Sequence, residues 1–343
     1  MDAVGSPSRG PSADRRLGLE LVALGSLRVT RLALGGNVFG WQSDERASWR
    51  ILDAFVDAGG NWIDTADFYA AFAPGHHGGE SEAVLGGWLA RPGNRDRVMI
   101  ATKVGWKPGL TGLAPATIER AIEESLQRLR TDHVDLYYAH ADDPETPLAD
   151  TLGAFGRVLQ QGKAREIGAS NYSAPRLIEA LELASSADLP RFVALQTLYN
   201  AVERDEYERE LAPALAAHGL PGVSHTSLAK GFLSGRFSTA TLAADDASPW
   251  AQATRRLEPR GAGVLDAIRE VASARGVRPP AVALAWLLSR PALAAAAAAV
   301  TSVEQLDELL PGITLSLTES ELSAITAAGD VSAAAESRGQ AGS

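Results

Sequence analysis

Short apolar runs alternate with amphipathic stretches along most of the chain. Runs of strand character fall at residues 31–35 (RLALG), 61–65 (NWIDT), 97–103 (RVMIATK) and 133–140 (HVDLYYAH). Four more fall at 164–170 (AREIGAS), 192–197 (FVALQT), 222–228 (GVSHTSL) and 294–300 (AAAAAAV). The last is locally a poor strand, because alanine favours helix; its place in the repeat is what assigns it. Between these runs, apolar residues recur at helical spacing. "DERASWRILDAFVDAGG" ends on a glycine stop, "APATIERAIEESLQRLR" opens on Pro115, and "SAPRLIEALELA" starts with Ser173 as a cap. "ETPLADTLGAFGRVLQQGK" has the same form.

The first seven strand starts lie 28–36 residues apart. Eight apolar strands, each followed by a helix, predict an α/β fold: a parallel (β/α)8 TIM barrel in one domain. "LELVA" and "LRVTR" flank Gly25 and predict an N-terminal β-hairpin that covers the barrel's bottom. "SPWAQATRRLEPRG" (248–261) reads as a long loop on the C-terminal face. A doubly wound open sheet is the alternative, but neither "GGNVFG" (35–40) nor "GRVLQQGKA" has the spacing of a phosphate-binding loop.

Composition narrows the range of functions. Residues 1–16 and 330–343 are rich in Ser, Gly, Ala and charge and read as disordered tails, which leaves 17–329 as the domain. The 343 residues are 45% hydrophobic, enough for a large core. With 32 basic and 42 acidic side chains the net charge is −10, and no basic cluster stands out, which argues against nucleic acid or an anionic membrane as partner. There is no cysteine, so disulfides, thiol catalysis and Cys-ligated metal are excluded. The longest apolar runs, 281–288 and 292–300, are separated by Arg290 and Pro291 and fall short of the roughly 20 residues that span a bilayer. The polar start shows no secretory pattern, and the expected location is cytoplasmic.

In a barrel, chemistry sits where the strands end at the C-terminal face. There the sequence places Asp64, Tyr69, Lys103, His140, Ser170, Asn171 and Gln196. Adjacent strands lie only about 5 Å apart, so these groups can converge. A lysine ammonium about 4 Å from a phenol is worth roughly 4 kcal/mol, which would pull the Tyr69 pKa from near 10 towards neutrality. Asp64 would be the counter-ion of Lys103, and His140 could donate to a substrate oxygen. The set describes an acid that protonates an oxyanion as a carbonyl is reduced. Asp67, between Asp64 and Tyr69, reads as a loop residue. The six histidines have no metal-ligand spacing, so no metal site is expected.

The segments "NWIDTADFY", "ATKVG", "DLYYAHADD", "GASNYS", "LQTLYN", "KGFLSGRF" and "TSVEQLDELL" resemble the aldo-keto reductase family, in order, across about residues 17–328. The "GGESE" stretch is similar to its bacterial branch. The resemblance implies reduction of aldehydes and ketones with NADP(H), with NAD(H) as the alternative and no metal. It makes Tyr69 the general acid, with Asp64 and Lys103 lowering its pKa and His140 orienting the carbonyl. It implies that Ser170, Asn171 and Gln196 hold the nicotinamide amide. Gly36 and the loop from Ser224 to Arg236, including His225, Thr226, Leu228, Gly231, Leu233 and Gly235, would bind the rest of the cofactor. Thr301, Ser302 and Gln305 would meet its adenosine end. Trp41 and Trp106 would line the substrate pocket, which suggests apolar or aromatic carbonyls. Asn171-Tyr172-Ser173 also matches a glycosylation sequon, discounted without a secretory signal.

Two departures stand out. Where the family often has "YSPL", this chain has "HTSL", with His225 and Ser227 in the Tyr and Pro positions. His225 predicts weaker cofactor binding that depends on pH around neutrality. No basic residue precedes "EQL", so Arg236 or Arg255–Arg256 would have to meet a 2′-phosphate. A non-catalytic cofactor-binding subunit of the same fold is the main alternative function. A Schiff-base barrel enzyme acting through Lys103 is a third reading.

Overall fold

A computed structural model describes residues 19–236 and 249–340. Eight parallel strands close into a barrel in chain order: β3 (Leu32–Gly35), β4 (Trp62–Asp64), β5 (Met99–Val104), β8 (Val134–Ala139), β9 (Ala164–Ser170), β10 (Leu195–Leu198), β11 (Gly222–His225) and β12 (Leu293–Ala298). Each coincides with a predicted run, including the alanine-rich one. In β12 the ladders to β3 and β11 override alanine's helical preference, and its small side chains leave space inside the barrel. Around the barrel lie α1 (Glu45–Asp57), α2 (Glu80–Leu89), α3 (Pro115–Leu129), α4 (Leu148–Gln160), α5 (Ala174–Ser186), α6 (Ala212–His218), α7 (Pro249–Arg275), α8 (Pro279–Leu288) and α9 (Val303–Leu309). A small hairpin, β6 (Trp106–Lys107) with β7 (Leu110–Thr111), follows β5.

The period of two along each strand sorts residues into an inner and an outer set. Outward-facing Ile63, Ile100, Tyr137 and Ile167 join the helix-side core, while Ala33, Trp62, Ala101, Leu136, Tyr138 and Val223 fill the barrel interior. The Tyr138 ring occupies the space a side chain on Gly168 would need, 2.4 Å from the ideal Cβ position. The predicted hairpin is present as β1 (Leu21–Leu24) and β2 (Leu27–Thr30), with Gly25 at φ +59° in its turn. Its Leu24, Leu27 and Val29 belong to the same apolar cluster as the barrel interior, so the hairpin closes the bottom. The Ser26 N–H donates to Glu166 on β9 at 2.7 Å and pins the turn there.

Three local expectations need correction. The segment 248–261 is no loop: from Pro249 it forms the start of α7. Pro259 and Gly261 read as punctuation, but Ala251, Thr254, Leu257, Val264, Leu265 and Ile268 are buried at helical spacing, and that burial wins. The tail predicted from 330 continues a helix, α10 (Glu319–Gln340), because its alanine-rich composition favours helix and Arg204 bonds both Thr326 and Asp330 of it. The predicted tail 1–16 and residues 341–343 lie outside the described residues. Ser173 does sit at the N-cap of α5, but its side chain makes no capping hydrogen bond. No helix among the described residues is long and apolar enough to cross a membrane.

Candidate active site

The inward set turns polar as the strands reach the C-terminal face. Asp64 closes β4, Lys103 is next to last in β5, His140 directly follows β8, Ser170 closes β9 and Gln196 lies in β10. The register places Asp64 opposite Ala101, Lys103 opposite Tyr138 and Gln196 opposite Ser170. Lys103 Nζ then uses all three donors. It gives one hydrogen bond to Asp64 Oδ2 at 2.6 Å, one to the Thr65 carbonyl at 2.9 Å and one to Tyr69 Oη at 2.9 Å. Asp64 is held from its other side by Gln196 Nε2 at 3.0 Å. The Tyr69 hydroxyl approaches Asp64 Oδ2 only at 3.4 Å, so its proton is loosely held.

The electrostatics correct one expectation. Burial raises the Tyr69 phenol above its ordinary value, the Lys103 charge pulls it down by less, and Asp64 pushes it up again. The phenol therefore stays protonated through the neutral range. Asp64 therefore does not lower the phenol; its favourable action is on Lys103, which burial alone would lower but which Asp64 and Tyr69 raise overall. His140 is held well below its ordinary value, first by burial, then by the Lys103 charge and by its coupling to His225. It is a neutral imidazole, stacked on Trp106 with ring centroids 4.1 Å apart.

A cavity of about 810 Å³ opens beside this cluster. Of the residues singled out in the sequence, Asp64, Tyr69, Trp106, His140, Ser170, Asn171, Gln196, His225, Thr226, Leu228, Gly231, Arg236, Thr301 and Gln305 line it. Lys103 stands behind Asp64 and Tyr69, fully buried. Gly36, Trp41, Ser224, Leu233, Gly235 and Ser302 lie outside the lining. Gly36 is tight against Ser81, which donates to its carbonyl, and Ser302 caps α9 by accepting from Gln305 N. Trp41 stands behind the rim, edge-on to Phe72. Sequence reasoning missed Phe68 and Phe72, which line the mouth together with Trp106; both lie in the Tyr69 loop, where two more aromatic residues were the available signal.

The rest of the cavity suits a long, flat group carrying phosphates. Ala297, Ala298 and Ala299 form a wall of small side chains, with Gly35 beside it. Thr226, Ala229, Lys230 and Gly231 all have positive φ (56°, 49°, 55° and 89°), so the chain turns tightly along the cavity wall, with the Ala229 and Gly231 N–H groups donating to the Thr226 and Leu228 carbonyls at 2.8 and 2.9 Å. Lys230 and Arg236 add positive charge, although Arg236 is ion-paired to Glu308. Arg255 and Arg256 lie on α7, away from the lining.

The two departures have local partners. Ser227 Oγ bonds the Ala297 carbonyl at 2.8 Å and Ser224 Oγ at 2.7 Å, a hydroxyl latch between the β11 loop and β12 that proline could not make. His225 lies between Asn171 Oδ1 (2.8 Å from Nε2) and Thr226 Oγ1 (3.0 Å from Nδ1). The Asn171 amide nitrogen already donates to the His140 carbonyl and Ser170 Oγ. Nε2 must therefore be the protonated nitrogen, donating to Asn171. Burial, then Lys103, pushes the His225 pKa down to about 4, which moves its titration away from the expected neutral range.

Comparison with known proteins bears on this geometry. A model of the Aldo/keto reductase family matches residues 31–330. YrpG, an uncharacterized oxidoreductase of Bacillus subtilis (strain 168), is 33% identical over 301 residues, spanning 85% of this chain and 89% of its own. Norsolorinic acid reductase B of Aspergillus parasiticus is 31% identical over 327 residues, or 89% of this chain and 82% of its own. A probable voltage-gated potassium channel subunit beta of Oryza sativa subsp. japonica is 31% identical over 291 residues, or 82% and 87%.

Proposed function

Since this chain belongs to the aldo/keto reductase family, we propose that it is an NAD(P)H-dependent reductase of aldehydes and ketones with Tyr69 as proton donor. The observation that carries the reading is the contact of one buried ammonium with both Asp64 and Tyr69 on the wall of a cavity that His140 also lines. A bound nicotinamide would supply hydride to the carbonyl carbon. Ser170, Asn171 and Gln196 are the groups to hold its amide, and Lys230 and Arg236 in the loop after β11 its phosphates. Neutral His140 donates to the carbonyl oxygen and orients it. As charge develops on that oxygen, Tyr69 gives up its proton, and Lys103 stabilises the phenolate left behind. An alkoxide is a far stronger base than a phenolate, so a phenol above its ordinary pKa still serves as the acid. Asp64 keeps Lys103 charged and aimed.

Phe68, Phe72 and Trp106 favour apolar or aromatic carbonyl substrates. NADP(H) is the preferred cofactor in this reading, with Arg236 leaving Glu308 to meet the 2′-phosphate; kcat/KM for NADPH against NADH tests it. A second reading is a subunit that binds the cofactor without turnover; its support is that the rice relative is named as a channel subunit and not as an enzyme. A Schiff base on Lys103 fits poorly, because the amine is fully buried and held protonated. The deciding experiment is NADPH oxidation with a panel of aldehydes and ketones, alongside Tyr69→Phe. We expect the variant to lose roughly 10²–10⁴-fold in kcat/KM with NADPH affinity retained. Tight NADPH binding with no turnover on any carbonyl would favour the subunit reading.

A further inference from the structure

Asp67 lies two residues before Tyr69 in the same loop and is completely buried. Neither of its carboxyl oxygens has a hydrogen-bond partner among the described residues. The Phe68 N–H exerts a weak pull without bonding geometry. The Asp67 backbone N–H donates to the Lys103 carbonyl at 3.2 Å, so this residue joins the Tyr69 loop directly to the lysine strand. The loop is strained just beyond: Ala70, buried, has φ +75°.

The groups that face Asp67 come from four elements. Glu82 on α2 repels a charge there, Arg128 on α3 and Lys107 on β6 attract it, and Tyr137 on β8 stands close enough to feel it. Both cations are engaged elsewhere. Arg128 Nε holds Glu82 at 2.7 Å, and Glu82 also accepts from Thr102 at 2.6 Å. Lys107 Nζ holds Glu124 at 2.8 Å. An ionised, unpartnered carboxylate in such a place is costly. Burial first, and Glu82 second, push its pKa up to about 8.

We propose that Asp67 is a positioning residue, a neutral buried carboxyl that seats the Tyr69 loop and unseats it on ionisation. Once charged, it attracts Lys107 and Arg128, and either cation moving towards it loosens its contact with Glu124 or Glu82. Lys107 adjoins Trp106, whose ring stacks on His140, so that movement reaches both the proton donor and the residue that orients the carbonyl. Tyr69 and Lys103 are both raised, so neither competes for this titration.

The test compares the unmodified chain with Asp67→Asn, the isostere of the neutral acid, using two readouts. One is amide exchange in peptides covering 65–74, corrected for intrinsic rate; the other is kcat/KM for carbonyl reduction, which rests on the reductase reading. Between about pH 7 and pH 9.5 we expect loop exchange in the unmodified chain to rise roughly tenfold and kcat/KM to fall about fivefold, with Asp67→Asn changing less than about twofold in either. Superimposable exchange profiles for the two proteins would overturn the proposal. So would a tenfold activity loss in Asp67→Asn at neutral pH with loop exchange unchanged. If the unmodified chain reduces nothing at any pH while loop exchange behaves as stated, the reductase reading falls and the role of Asp67 stands.

Discussion

Trp62, Ala101, Tyr138, Ala194 and Val223 face into the barrel as an apolar layer. Two residues further along the same strands, and on the same side of the pleat, are Asp64, Lys103, His140, Gln196 and His225. The lower layer is closed from beneath by Leu24, Leu27 and Val29 and presents no charge. The upper layer holds a fully buried lysine and acid, paired at 2.6 Å. One strand periodicity therefore builds both. The difference teaches that stability and chemistry are separated by a single pleat step, so substitutions should affect one or the other according to height in the barrel.

The largest expected effect breaks the upper layer. Lys103→Met leaves Asp64 buried without its counter-ion and should cost about 3–5 kcal/mol of stability. It should also lower kcat/KM roughly 10³-fold by removing support for the phenolate. Adding Asp64→Asn should recover most of the stability and none of the activity, as read by denaturant unfolding and steady-state kinetics. Recovery of both would mean that the pair is structural only. Next in size is the lower layer. Leu136 is inward and 1% exposed, so Leu136→Ala should cost about 2–5 kcal/mol. The folded variant should keep kcat and KM within about twofold, since the apolar layer carries no chemistry. A much larger kinetic loss at full folding would show that the layers are coupled.

The layering explains what could be read from the sequence. Strand positions were legible because burial on both faces leaves unbroken apolar runs, and Asp64, Lys103 and His140 stood out because each is polar at the end of one. The pairing of Lys103 with Tyr69 was legible in outline, but the sign of the phenol's shift was not, because it depends on how far burial outweighs one ammonium. Asp67 was read as a loop residue since nothing local shows that α2, α3 and β8 enclose it. The start of α7 was hidden by Pro259 and Gly261, which mark loops only when tertiary burial does not overrule them. His225 was visible as a substitution, yet its partners Asn171 and Thr226 come together only through the ends of β9 and β11.

The smallest effect sharpens the comparison at a histidine of the upper layer. His225 stands one pleat step above Val223, and its pKa is pushed down to about 4 in the folded chain. An unfolded histidine titrates near 6.5. Between these values the unfolded state binds the proton that the folded state refuses, so stability falls as pH drops from about 6.5 towards 4 and is unaffected above that window. His140, also held low, acts in the same direction. His225→Gln keeps an N–H for Asn171 Oδ1 and removes the titration. Its stability at neutral pH should match that of the unmodified chain within about 0.5 kcal/mol, and at pH 5 it should be about 1–2 kcal/mol the more stable. Chemical denaturation at the two pH values measures the gap. A gap that does not grow on acidification would mean that His225 can charge in place, and that the upper layer tolerates a second cation beside Lys103.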